Sequence, residues 1–170
     1  EGAVLQAKAP IVTMRLRKLK DKTVEEVLKD NTSRIPGWTL RREYRSTFRG
    51  SLSATEKVVE GRFDGQVAPD AAVIPISMER ELARDMQLKL GDTVEFDVQG
   101  VPMLTRITSI REVEWRRLEP NFFIVFPEGA LEAAPKFYVV ATRAESPADS
   151  ARLQQAIVST LPNVSAIDLA

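Results

Sequence analysis

The chain reads as an α+β protein rich in strands, and three observations predict this. Segments alternating apolar and polar residues recur between Pro10 and Ile110, and a period of two belongs to half-buried strands. Phe122 to Phe126 reads FFIVF and is stopped by Pro127. Such a run is long enough for a strand, too short for a membrane span, and apolar enough to be buried on both faces. Residues 136–169 read strand, helix, strand, which in parallel pairing is a right-handed βαβ crossover.

In order, Pro10 to Leu19 (PIVTMRLRKL) sets Val12, Met14 and Leu16 against Ile11, Thr13, Arg15 and Arg17, a half-buried strand. Thr23 and Glu26 have capping-box spacing before Val24, Val27 and Leu28, the stripe of a short helix. Asn31 to Gly37 is a polar break. Trp38 to Phe48 (WTLRREYRSTF) alternates throughout and predicts one strand. Its face of Trp38, Leu40, Arg42, Tyr44, Ser46 and Phe48 opposes a polar face that carries Arg41 and Arg45 and runs on to Arg49.

Lys57 to Phe63 and Val73 to Ile76 are short strands. Ser77 is expected to cap a helix whose Met78, Leu82 and Met86 repeat every fourth residue toward the core. Thr93 to Val98 and Val101 to Ile110 flank Gln99-Gly100, a hairpin turn signal. Ala130 to Ala134 is expected as a short helical turn and Lys136 to Thr142 as an apolar strand. The last helix has Ser146 at the N-cap, Pro147 at N1 and Asp149 at N3, with Leu153, Ala156, Ile157 and Leu161 as its buried stripe. Val164 to Leu169 is expected as a final strand. This outline predicts an α+β part, residues 1–49 and 128–170, with a small β-rich subdomain, residues 50–127, inserted in it.

Composition bounds the chemistry. With 44% hydrophobic and 28% charged residues in 170, a packed core is within reach. The net charge is zero, against a surface built wholly for nucleic acid. Residues 1–50 hold 12 Lys+Arg and 6 Asp+Glu, and residues 51–100 hold 5 and 10, so the first third is basic and the middle acidic. The chain has no cysteine and no histidine, which excludes disulfides, thiol nucleophiles, Cys/His zinc sites and histidine bases. No apolar stretch approaches the roughly 18 residues of a membrane helix, and no signal peptide is visible. Starting at Glu1-Gly2 without methionine, the chain reads as a piece of a longer protein.

No Walker A, dinucleotide, nucleophile-elbow or zincin motif occurs, so no ATP, cofactor or metal is expected. The acidic pairs Glu79/Glu81, Glu95/Asp97 and Glu112/Glu114 lie among opposite charges, as on a solvated face. Catalytic residues are expected to be absent. Two clusters remain. Trp115, Arg116 and Arg117 with Glu119 and Asn121 read either as a partner-binding site, Trp and Arg being hot-spot residues, or as a Trp covering the end of a barrel. Arg41, Arg45 and Arg49 read either as an anion-binding row or as an ordinary solvated sheet face.

From residue 88 the text is more specific. LKLGDTVEFDVQGVP (88–102) and TRITSIREVEWRRLEPNFFIVFPEGALEAAP (105–135) resemble the extracytoplasmic, MacB-like core domain of FtsX-like ABC-transporter permeases. LRREYRSTFRG (40–50), VVEGRF (58–63) and ISMERELARDMQLKLGD (76–92) resemble further passages of it, so that similarity covers about residues 10–142. The resemblance implies a porter-like α+β part with an inserted sabre-like β subdomain. It also implies a bacterial inner-membrane permease whose domain lies on the periplasmic side, with a cytoplasmic ABC ATPase as partner. The implied task is non-enzymatic: coupling ATP-driven movement to a periplasmic partner or to extraction of a lipophilic substrate. The chain departs from the family in lacking the first βα unit expected after a first membrane helix. The rival reading is a soluble anion- or nucleic-acid-binding β module using the arginine row.

Overall fold

The computed structural model describes residues 3–116 and 119–167. Packing divides the chain into two compact units. One comprises Glu1–Ala9, Leu118–Pro120 and Val139–Ala170, the other Pro10–Arg117 and Asn121–Tyr138. The boundaries expected for the insertion, near residues 50 and 127, both fall inside the second unit.

The elements in order are β1 (Ala3–Leu19), β2 (Lys22–Thr23), α1 (Val24–Lys29), α2 (Gly37–Arg41), β3 (Glu43–Phe48), β4 (Glu56–Gly61) and β5 (Ile74–Glu79). They continue with α3 (Arg80–Asp85), β6 (Thr93–Val98), β7 (Val101–Val113), β8 (Ile124–Phe126), β9 (Phe137–Ala144) and α4 (Pro147–Thr160). The fold is mixed and strand-rich, as the alternating segments predict.

Six strands of the second unit close on themselves. β1 pairs with β3, β3 with β8, β8 with β5, β5 with β7, β7 with β6, and β6 with β1. The β3–β8 and β5–β7 pairs are parallel and the other four antiparallel. Closure removes the free edges that an open sheet would leave unpaired. The apolar sets read from the sequence fill the inside: Val12, Met14 and Leu16 from β1, Val94, Phe96 and Val98 from β6, and Ile124 and Phe126 from β8 are all buried. β8 lies between β3 and β5, which is why every residue of this short strand is apolar. β4 adds to the outside of β7. Gln99 and Gly100 both have positive φ, 53° and 96°, as the hairpin turn between β6 and β7 requires.

Local signals held at the helix starts. Thr23 accepts from Glu26 N at the head of α1, and Ser146 accepts from Asp149 N at the head of α4. Elsewhere tertiary pairing overrode them. The predicted strand Trp38–Phe48 is two elements, because Gly37–Arg41 forms a helical turn that buries Thr39 and Leu40 together. Adjacent buried positions suit a helix, while Tyr44 and Ser46 keep the strand period. The Tyr44 hydroxyl donates to Thr39 O at 2.6 Å and locks the corner.

The helix expected to be capped by Ser77 begins three residues later. Ser77 and Met78 are held in β5 by Val125 and Ile124, and the Glu79 carboxylate caps α3 by accepting from Glu81 N and Leu82 N. Glu79 is therefore buried and not part of a solvated face. Residues 130–134 form turns without a helix. In the first unit α4 buries no residue: Leu153 and Ile157 are half-buried, Ala156 and Leu161 exposed. Val164–Ile167 form no strand, and the rest of that expected strand, Asp168 and Leu169, lies outside the described residues. The predicted βαβ crossover is thus not completed among the described residues.

Candidate functional site

β7 carries Arg111 into the interior, where its side chain has no solvent exposure. Every N–H of the guanidinium has an acceptor. Nε donates to Ser77 Oγ at 2.9 Å and Nη1 to Glu56 Oε2 at 3.0 Å. Nη1 and Nη2 donate to Phe122 O at 3.1 and 3.0 Å, and Nη2 also reaches Phe123 O at 2.9 Å. Burial pulls the Arg111 pKa down to about 10, opposed in part by the charge of Glu79, so the group remains a cation at neutral pH. Glu56, itself buried, also pairs with Arg49 and thus lies between two guanidinium groups.

This node fixes the segment entering β8. The Phe122 and Phe123 carbonyls are paired by Arg111, and Glu79 N donates to Phe123 O at 2.8 Å. With its backbone pinned, Phe122 turns inward and Phe123 stays half-buried. The Phe123 ring lies 5.0 Å from that of Trp115 and 5.0 Å from the Arg42 guanidinium. Arg42 also lies 4.9 Å from the Tyr44 ring and 5.8 Å from that of Trp38. The result is a ladder of Trp38, Arg42, Phe123 and Trp115 with its outer rungs open to solvent: Trp38 is 52% and Trp115 45% exposed. Each contact is within cation–π or ring-pair range.

The residues singled out in the sequence divide. Trp115 and Arg116 are exposed at one end of the ladder, and Arg117 lies outside the described residues. Asn121 is engaged locally, accepting from Thr55 Oγ1 at 2.7 Å and donating to Glu114 O at 3.4 Å. Glu119 is half-buried and belongs to the other unit. The three arginines do not form a row: Arg41 is in α2, Arg45 is exposed on β3, and Arg49 turns in to Glu56. Of the acidic pairs, Glu112 binds Arg80 at 2.6 Å, Glu95 binds Arg17 at 3.4 Å, and Asp97 accepts from Gly100 N at 2.8 Å. Among the described residues no three carboxylates converge to hold a metal ion.

Arg42, Phe123, Trp38 and the Arg111–Glu56 pair escaped sequence reasoning. Arg42 had a visible signal, a lone cation on the Trp38–Tyr44–Phe48 face. Glu56 had none, because 55 residues separate it from Arg111.

No family model matches the chain. Over 137 residues, 81% of its length, it is 31% identical to the uncharacterised ABC transporter permease YbbP of Escherichia coli (strain K12), and it spans 15% of the length of that relative. A solved domain, described as that of a permease protein from Porphyromonas gingivalis, aligns over 95% of this chain and 70% of that one, with 12% identity and a TM-score of 0.42.

Proposed function

Because the chain is a relative of part of an ABC transporter permease, we propose that it is the extracytoplasmic domain of such a permease. In this reading it lies on the outer side of a bacterial inner membrane and is not itself an enzyme. It carries movement driven by a cytoplasmic ATPase to a periplasmic partner or to a lipophilic substrate leaving the bilayer. The observation that carries the reading is the sequence match over 81% of the chain. No helix among the described residues is long and apolar enough to cross a membrane.

The closed ring suits mechanical work. Six strands closed on one another, with the buried Arg111–Glu56 pair tying β4 to β7, resist shearing strand by strand. The anion-binding alternative rested on Arg41, Arg45 and Arg49 sharing one strand face, and that face does not exist.

The chain contains no cysteine, so one introduced at the exposed hairpin residue Gln99 is the only thiol of this domain, and the unsubstituted permease is the control for labelling elsewhere. In cells expressing the parent permease, a membrane-impermeant maleimide should label Gln99→Cys once the outer membrane alone is permeabilised. Labelling only after the inner membrane is broken would overturn the placement.

A further inference from the structure

The chain has two tryptophans, and both are outer rungs of the same ladder. Between them the Arg42 guanidinium touches three rings, donates weakly to Glu43 O at 3.4 Å, and has no carboxylate partner among the described residues. Further guanidinium groups stand close by. Arg41 follows Trp38 in the same helical turn, and Arg15 donates to Arg41 O at 2.9 Å. Arg116 is exposed beside Trp115. None of these three has an ion pair among the described residues. The acids next to them in the chain are Glu43 and Glu114. The surface thus combines an excess of unpaired guanidinium with open indole faces.

We infer that the Trp38–Arg42–Phe123–Trp115 ladder is a docking surface for an acidic, apolar-flanked segment of a partner protein. A guanidinium held by aromatic faces is pre-organised, and its fork matches a carboxylate in bidentate geometry. The indoles beside it take apolar side chains, the composition of an interface hot spot. A lipid headgroup fits less well, because Arg42 is recessed among rings and the chain as a whole carries no net positive charge. The inference deepens the reading of the chain as a partner-binding domain. It is measured on the 170-residue chain alone, so the labelling experiment above can fail while this one succeeds, and the reverse.

Since both tryptophans lie on the ladder, intrinsic fluorescence reads it directly. The probe is a synthetic twelve-residue peptide alternating Glu with Leu and Phe, compared with its Lys counterpart and with vesicles of phosphatidylglycerol. A saturable tryptophan shift is expected with the acidic peptide alone. Arg42→Gln should weaken it about tenfold or more. The exposed Arg116→Gln should weaken it less, and it guards against a folding defect in the first variant. Trp115→Phe keeps a ring on Phe123 and should retain binding with a smaller signal. Equal response to the basic peptide, response to vesicles but not to the acidic peptide, or no response to any probe would each overturn the inference.

Discussion

The Arg111 guanidinium and the Glu56 carboxylate meet at 3.0 Å, and neither side chain is exposed to solvent. The pair joins β7 to the start of β4, and through the same guanidinium to the Phe122 and Phe123 carbonyls. An ion pair so placed adds little net stability over an apolar substitute, yet removing one partner strands the other in a dry interior.

Arg111→Ala should therefore cost about 3–5 kcal/mol. It leaves Ser77 Oγ and the Phe122 carbonyl without donors, strips one of two from the Phe123 carbonyl, and opens a cavity where the side chain stood. Glu112→Ala, one position along the same strand, breaks a half-exposed pair with Arg80 and should cost under about 1 kcal/mol. Urea unfolding of the two variants measures the gap. Equal losses would mean that the node carries no special weight.

Tyr44 makes alkaline stability depend on one phenol. Burial pushes its pKa well up, and nearby Arg42 lowers it only in part. Above a pH of about 10 the unfolded chain loses this proton while the folded one keeps it. The folded state then binds more protons, and stability falls as pH rises. Arg111, with its pKa lowered, acts in the opposite direction in that window, so the informative comparison is with Tyr44→Phe, in which Arg111 is unchanged. At neutral pH that variant should be less stable by about 1 kcal/mol, through loss of the bond to Thr39 O. Across the alkaline range the gap should narrow and then reverse. A gap that stays constant with pH would refute the assignment.

Ser146→Ala tests whether α4 is held by its cap. The helix buries no residue, so the Ser146 side chain bonding Asp149 N is a main local support. Removing it should cost about 1 kcal/mol within α4. Amide exchange should quicken across Pro147–Thr160 while protection of β5, β6 and β7 stays as it was. Loss of protection in both regions would show that they unfold as one.

What the sequence disclosed follows the range of the forces involved. Caps act over three residues, so Thr23 and Ser146 were legible, as was the Gln99-Gly100 turn. Strand faces are periodic, so the buried sets of β1 and β6 could be read directly, and β8 could be read from its unbroken apolar run. Closure of the ring could not be, because it depends on pairings such as Thr47 with Val125 and Ile74 with Thr105, which no local signal encodes. The same reason hid the ladder. Trp115 was visible as a candidate contact residue, but its links through Phe123 to Arg42 and Trp38 exist only once β3 and β8 lie side by side. The end of the β5 strand was misread because a cap signal at Ser77 competes with two flanking strands, and the ladder hydrogen bonds win.

Gly129, in the turn after β8, should tolerate no side chain. Its φ is 104°, in the region that L side chains avoid, and a Cβ there would run into the Val67 carbonyl oxygen. That carbonyl belongs to a segment tied down on its other side, since Val67 N donates to Glu128 O at 2.9 Å. Backbone cannot yield as a side-chain tip does, so Gly129→Ala combines conformational strain with a clash. It should cost about 2–4 kcal/mol, above the strain of a left-handed alanine alone. Gly91 separates the two effects: its φ is 86°, but nothing lies within 4 Å of the added carbon. Gly91→Ala should thus cost only about 1 kcal/mol. Thermal unfolding of the two variants measures the difference. If they fall by the same amount, the close approach of residues 67 and 129 is not what holds this turn.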